Sequence, residues 1–460
     1  MDDDQPETAP ISAPTGDRPA PWDSFQREVP SWFTDAKLGI FIHWGPYSVP
    51  AWAEATGELG TVDGPTWFRH NPYAEWYFNT IRLPGSPARA HHDEVYGGAP
   101  YDDFLDAWTA AEFDPADWAA LFARAGARYV VPTTKHHDGV ALWDAPGTGT
   151  RNTVHRGPRR DLVAAIADAT RAAGMRFGVY YSGGLDWGVT RWLPPHDTPR
   201  SVSEVRPVDA AYATFADAHV TDLVDRYHPD VLWNDIEWPD AGKHDGSRGL
   251  AQLFRHYYAT VPDGVVNDRW GETHWDFRTS EYQAGLEKEA AGAWENCRGL
   301  GFSFGYNAAE DESVVLDGPQ VVRHLLDVVS RGGNLLLNVG PDAAGRIPAI
   351  QRRSLEQLGD WMAVHGSAVH ASRPLPASTG RPTDEPWVRW TRTGRTAHAV
   401  VDAVGVVHLD ADPAALDLAS ARGPAGAPVA AVAVGGRVQV TLPPRREPGP
   451  TVVDFDLWTA

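Results

Sequence analysis

Cysteine is almost missing from this chain. Cys297 is the only one in 460 residues, so no internal disulfide can form and oxidative stapling is excluded. Basic charge is short as well: 40 Lys+Arg stand against 61 Asp+Glu, a formal net charge of −21. That balance argues against a nucleic-acid partner and against an anionic membrane surface, both of which need a basic footprint. No hydrophobic run approaches the roughly 18 residues that a membrane span requires. The acidic start Met1-Asp2-Asp3-Asp4 is followed by no apolar core segment, so a secretory signal is not expected and a cytoplasmic location is.

What is present is a long chain of ordinary globular composition, 42% hydrophobic and 22% charged, able to bury a sizeable core. At about 150 residues per domain the length suits three domains, or one large barrel with a smaller module. Tryptophan is over-used, with 20 Trp against 15 Phe and 14 Tyr. Large flat rings fill cores, and they also wall ligand sites.

Residues 1–22 are rich in Asp, Pro, Ala and Thr without periodicity and are expected to be a disordered lead. From Trp32 onward, short apolar runs alternate with helical patterns. The runs fall at 38–43, 129–133, 177–181, 231–233, 265–267, 279–282 (weak), 302–306 and 335–339, with the clearest helices predicted at 161–173 and 321–329. Eight strand and helix units imply a parallel sheet closed into a (β/α)₈-like barrel over residues 23–372. The barrel is expected to be irregular around its fifth and sixth strands, because 267–279 has no helical period and 283–301 no clean apolar face. Beyond about residue 372, short alternating runs punctuated by Gly, Pro and Asp predict a C-terminal β-sandwich over 373–460, reached through a Pro-rich linker at 373–386.

In such a barrel the chemistry lies at the C-terminal strand ends. Those positions carry His43-Trp44, Lys135-His136-His137-Asp138, Tyr180-Tyr181-Ser182, Asn234-Asp235, Asn267-Asp268-Arg269-Trp270, Glu281-Tyr282 and Phe304. Carboxylates, Arg, His and Trp in one ring suit a monosaccharide, whose hydroxyls need forked donors and acceptors and whose apolar face needs aromatic walls. Glycoside hydrolysis needs two flanking carboxyls, one to attack and one to deliver a proton. Asp235 and Glu281 are the best placed pair. Taken alone, an Asp at a strand end is more often a cap or loop residue. His136-His137-Asp138 has metal-ligand chemistry but no ligand spacing. His91-His92 reads as solvated loop, Asn334 and Asn338 as hydrogen-bonding groups on one strand face, and Trp118 and Trp361 as core. Trp44, Trp67, Trp233 and Trp270 fall beside candidate site residues.

The segments from Trp32-Phe33 through Lys37-Leu38-Gly39-Ile40-Phe41-Ile42-His43-Trp44-Gly45, Tyr73-Ala74-Glu75-Trp76-Tyr77, Thr134-Lys135-His136-His137-Asp138-Gly139 and Gly178-Val179-Tyr180-Tyr181-Ser182 resemble the α-L-fucosidases of glycoside hydrolase family 29. So do Pro229-Asp230-Val231-Leu232-Trp233-Asn234-Asp235 and Asn334 through Pro341. The resemblance implies a retaining exo-glycosidase acting on fucosylated oligosaccharides or glycosides without metal or cofactor. Asp235 matches the family nucleophile. His43, Glu75, His136, His137, Tyr180 and Arg269 match the hydroxyl-binding set, and Trp67, Trp233 and Phe304 the aromatic walls. The acid/base varies in position across the family. Here the segment Thr279-Ser280-Glu281-Tyr282 resembles that of bacterial members, which favours Glu281 over Glu75, Glu237 and Glu295. An α-L-galactosidase or transfucosidase with the same pocket, a metal-dependent hydrolase and a catalytically degenerate carbohydrate-binding protein remain open at this stage. So does assembly into a homo-oligomer, which is common in the family.

Overall fold

Strands that are buried on both faces and separated by helices can pair in parallel only through crossovers, and that arrangement is found. The structure, a computed structural model, describes residues 8–9, 18–190, 206–283, 292–442, 444 and 448–458. Its barrel strands are β1 (Leu38–Ile42), β2 (Tyr129–Lys135), β3 (Arg176–Ser182), β4 (Val231–Asp235), β5 (Val265–Val266), β6 (Arg278–Glu281), β7 (Trp294–Gly299) and β8 (Asn334–Val339). All pair in parallel, in the order β5-β4-β3-β2-β1-β8-β7-β6. No ladder joins the two edge strands β5 and β6. A loop bridges them instead: the Asp276 and Phe277 N–H groups donate to the Val266 carbonyl (2.9 and 3.3 Å), and Asp276 Oδ2 accepts from Val266 N–H (2.9 Å).

Among the described residues, the helices α1 (Pro115–Arg124), α2 (Leu162–Ala172), α3 (Ala210–Tyr227), α4 (Leu250–Thr260), α5 (Gly318–Val329) and α6 (Ala349–His365) cover the outside. Asp114, Asp161, Asp209 and Asp317 cap four of them by accepting first-turn N–H bonds, the reason Asp recurs before apolar stretches in this sequence. Among the described residues no helix follows β5 or β6 before the next strand, as the sequence predicts. None is long and apolar enough to cross a membrane.

The period-2 alternation of a strand sorts the core into two layers. Leu38, Ile40 and Ile42 pack outward toward the helices. Phe41, Tyr129, Val131, Tyr180, Trp233, Phe277 and Leu336 fill the barrel interior. Phe33 and Phe277, 4.5 Å apart between ring centroids, lie with Tyr129 in this interior core.

Four sequence expectations need correction. The seventh strand is Trp294–Gly299, not 302–306. Its buried polar residues Glu295, Asn296 and Arg298 disguise it as a loop, and 302–306 is the loop that follows it. His92 is not solvated: it lies in the helix Pro87–Tyr96, buried, with Nδ1 3.1 Å from Tyr77 Oη and Nε2 2.9 Å from the Ala99 carbonyl. The segment 373–386 is no free linker, because Arg373–Pro374 and Thr383–Asp384 both pair with Trp387–Thr393. A strand at Leu416–Arg422 went unread, since LDLASAR has no alternation. Of the expected lead, residues 1–7 and 10–17 fall outside the described residues, while Trp22 is buried with its ring edge-on to Phe254.

The C-terminal strands are antiparallel and form two sheets around Val388, Trp390, Ala399, Leu409, Val438 and Phe455, a β-sandwich. It docks on the outer side of the barrel. Trp361 Nε1 donates to the Pro450 carbonyl (2.8 Å), Thr391 Oγ1 to the Ala368 carbonyl (2.7 Å), and Arg389 pairs with Asp327 on α5. No described residue of the sandwich lines the pocket described next.

Candidate active site

A parallel barrel brings all its strand ends to one rim. There His43 follows β1, His136 and His137 follow β2, Tyr180 lies in β3, Trp233 and Asp235 in β4, and Glu281 ends β6. Arg269 sits in the loop after β5 and Phe304 in the loop after β7. The long excursion between β1 and β2 adds Trp67 and Glu75. All of these line a single pocket.

Arg269 organises its charges. Nη1 donates to Asp235 Oδ1 (2.8 Å), Nη2 to Glu281 Oε2 (2.9 Å) and Nε to Thr279 Oγ1 (3.2 Å), with the guanidinium over the Trp233 ring. The two carboxylates are thus spanned by one guanidinium. Asp235 Oδ1 also accepts from Ile236 N–H (2.9 Å), and Oδ2 from the Tyr180 hydroxyl (2.8 Å). Burial alone would raise the Asp235 carboxyl. Arg269, through its charge and its hydrogen bond, together with the Tyr180 hydroxyl outweighs it and holds the group below the usual carboxylate range, so it stays ionised. Glu281 Oε1 accepts from the Tyr73 hydroxyl (2.9 Å).

The histidines are neutral acceptors. His43 Nδ1 lies 2.7 Å from Asn338 Oδ1, and the Asn338 amide donates to the Phe304 carbonyl (2.6 Å). That fixes the amide orientation, so Nδ1 must carry the proton and Nε2 is left as an acceptor. The same logic holds at His137: Ser182 Oγ donates to the Leu185 carbonyl (2.7 Å) and accepts from His137 Nδ1 (2.7 Å), leaving Nε2 3.7 Å from Asp235 Oδ2. Burial lowers His43 to about 3 and His137 to about 4, and pushes His136 further down. His136 stacks on Tyr180 (5.7 Å, 16°), and its Nδ1 is buried without a protein partner. Glu75 Oε2 accepts from Gly305 N–H (2.7 Å) and Ser303 Oγ (3.1 Å), and burial raises its carboxyl to about 7 despite those donors.

Of the four tryptophans that fall beside site residues in sequence, only Trp67 and Trp233 face the pocket. Trp44 packs among Trp108, Phe113 and Trp118, and Trp270 against Trp238 and Phe254. Each follows a site residue, and neighbours in extended chain point to opposite sides. Trp118 and Trp361 are core, and Asn334 and Asn338 hydrogen-bond backbone carbonyls, as expected. Sequence reasoning missed Tyr73 and Trp76 in the lining, and with them Cys297, Phe41, Leu59, Phe68 and Ile236. The first two flank Glu75 in a segment it had already singled out. Cys297 sits inside the disguised β7.

The rival carboxyls differ in position. Glu295 is inside the barrel, accepting from Trp233 Nε1 (2.9 Å) and the Tyr129 hydroxyl. Glu237 pairs with Lys243 and Arg206 and does not line the pocket. Asp138 turns from His136 and His137 to accept from Tyr101 Oη (2.8 Å) and Val140 N–H (3.1 Å). Among the described residues no three His, Cys, Asp or Glu side chains converge as metal ligands.

These buried groups predict a stability profile. His43 and His137, with His219 (about 4), His274 and His324 (both about 3), are depressed from 6.5 by burial. Below pH 6.5 the unfolded chain therefore binds protons that the folded one refuses, and stability falls with falling pH. Glu75 and Glu295 (both about 7) and Glu310 (about 8) are raised by burial from 4.5. They stay protonated when folded, so their contribution is complete below 4.5 and is lost as pH rises through 7–8. The trends oppose one another, and Tm is expected to peak between about pH 6 and 7. A melting series with its maximum at pH 5 or below would contradict these assignments.

Comparison with known proteins bears on the chain as a whole. The family model described as Alpha-L-fucosidase matches residues 11–367. The tissue alpha-L-fucosidase of Macaca fascicularis is 33% identical over 389 residues, covering 82% of this chain and 76% of its own. The alpha-L-fucosidase of Dictyostelium discoideum is 32% identical over 364 residues, covering 77% and 74%. Among solved structures, Thermotoga maritima alpha-fucosidase in complex with fucose has a TM-score of 0.81 at 41% identity, covering 93% of this chain and 97% of that one. The alpha-L-fucosynthase from the same organism reaches 0.87 at 43%, covering 95% and 99%.

Proposed function

The chain belongs to the alpha-L-fucosidase family, and from that premise we propose that it hydrolyses α-L-fucosides by double displacement with net retention. It is a glycoside hydrolase acting on fucosylated substrates. The observation that carries the finer reading is the guanidinium of Arg269 holding Asp235 on one nitrogen and Glu281 on the other. Retaining enzymes keep their two carboxyls close, about 5–5.5 Å apart, because no water has to fit between nucleophile and sugar.

Glu281, entering the cycle as the carboxylic acid, gives its proton to the glycosidic oxygen as an Asp235 oxygen attacks the anomeric carbon. The bond to the leaving group breaks and a fucosyl ester of Asp235 forms. Glu281, now a carboxylate, takes a proton from water; the water oxygen attacks the same carbon, the ester breaks, and Asp235 is released ionised. His43, His137 and Glu75 hold sugar hydroxyls, the two imidazoles as acceptors. Bonds that shorten as the ring flattens toward an oxocarbenium ion lower the barrier.

Fucose differs from galactose by a methyl in place of a hydroxymethyl. Phe304, buried between the rings of His43 (4.9 Å), Tyr73 (5.4 Å) and Tyr282 (5.5 Å), supports a wall that favours the methyl. An α-L-galactoside is expected to be hydrolysed with kcat/KM about 10–200-fold below the matching fucoside. The mechanism is tested by following the first sugar released by NMR. α-L-Fucose appearing before its β anomer is expected; β first would overturn retention.

A further inference from the structure

Most of the pocket lining is buried, including His43, Glu75, Tyr180, Trp233 and Phe304. Five lining residues are half-exposed and therefore form its mouth: Leu59, Phe68, Ile236, Arg269 and Glu281. The two charged ones are engaged with each other. The other three are apolar.

Glu281 fixes what this mouth faces, because a proton donor must lie against the leaving-group oxygen. The apolar residues line the same mouth. Leu59 continues into Gly60, where a Cβ would sit 3.7 Å from Gln283 Nε2, two residues past Glu281. Phe68 packs edge-on to Trp67 (5.1 Å) and beside Trp76 (6.3 Å), while Trp67 is edge-on to Tyr73, the hydroxyl partner of Glu281.

Ile236 supplies an independent sign. Its φ of 64° is left-handed, a rare and costly conformation for a β-branched residue. Gly184 is packed against it so closely that a Cβ there would meet the Ile236 backbone at 2.7 Å. The turn sends Ile236 N–H back to Asp235 (2.9 Å) and its side chain into the mouth. Glycine would take this φ without strain, so the strain serves the side chain.

We propose that Leu59, Phe68 and Ile236 form the leaving-group subsite, and that it selects aglycones offering a flat apolar face rather than a particular pattern of hydroxyls. The proposal rests on the fucosidase reading above. It is tested by the ratio of kcat/KM for phenyl α-L-fucoside to that for α-L-fucosyl fluoride, whose leaving atom is too small to reach the mouth. Phe68→Ala and Leu59→Ser are each expected to lower that ratio about tenfold, and Phe68→Leu to restore most of it. A ratio unchanged in both Phe68→Ala and Leu59→Ser overturns the proposal, and either variant suffices should the other not fold. Failure of the unaltered enzyme to cleave the fluoride would instead overturn the hydrolase reading, and this subsite with it.

Discussion

Asp235→Gly is expected to lower turnover of an aryl α-L-fucoside by about four orders of magnitude or more while leaving a folded protein. In the proposed mechanism the lost carboxylate is the attacking group, and none of its neighbours can replace it. Tyr180 is a hydroxyl whose pKa is pushed well above 10 by burial and by Asp235 itself, and His137 reaches Asp235 only at 3.7 Å. Arg269 keeps its second partner, Glu281, so the substitution does not strand a buried cation. Glycine also opens space on the face of the sugar that Asp235 occupied. Added azide is expected to enter there and restore turnover, giving β-L-fucosyl azide, and formate should act likewise. Wild-type rates in Asp235→Ala would sink the assignment.

Glu281→Ala should show a different signature. On fucosides with poor leaving groups the loss is expected to be about 10²–10⁴-fold, the usual worth of a positioned general acid. Substrates whose leaving group departs without a proton should escape much of it in the first step and then accumulate the fucosyl-enzyme, seen as a burst. Azide needs no general base and should speed the second step, attacking from the side opposite Asp235 to give α-L-fucosyl azide. The configuration of the azide product therefore distinguishes the two carboxyls, β from Asp235→Gly and α from Glu281→Ala. Equal losses on good and poor leaving groups would count against Glu281.

The parts of this molecule that were legible in sequence are those where one residue type serves one purpose. Strand β1 carries no polar side chain and β8 keeps Leu335, Leu336 and Leu337 in one run because both faces are buried, and position at a strand end was enough to pick out residues that line the pocket. Legibility failed where burial and polarity coincide. Strand β7 buries Glu295, Asn296 and Arg298, each with a partner from elsewhere in the fold: Tyr129 and Trp233, Gln283, and Glu58. His92 is hidden in the same way, its two nitrogens matched to Tyr77 and Ala99. Periodicity cannot register a polar residue whose partner lies far along the chain. Tryptophan misled for a simpler reason: composition reveals an excess but not which side of the backbone each ring takes, and Trp76 rather than Trp44 or Trp270 completes the wall.

The open seam between β5 and β6 has a consequence for how the molecule is held together. Arg269 leaves one edge of the sheet and Glu281 ends the other, so the ion pair between them (2.9 Å) is a clasp across the one place where the barrel has no ladder. Asp276 fastens the bottom of the same gap and the charged pair fastens the top. A sugar seated against Arg269 and Glu281 touches both edges at once and adds a third fastening. An inhibitor that fills the pocket of the folded barrel is therefore expected to raise its Tm.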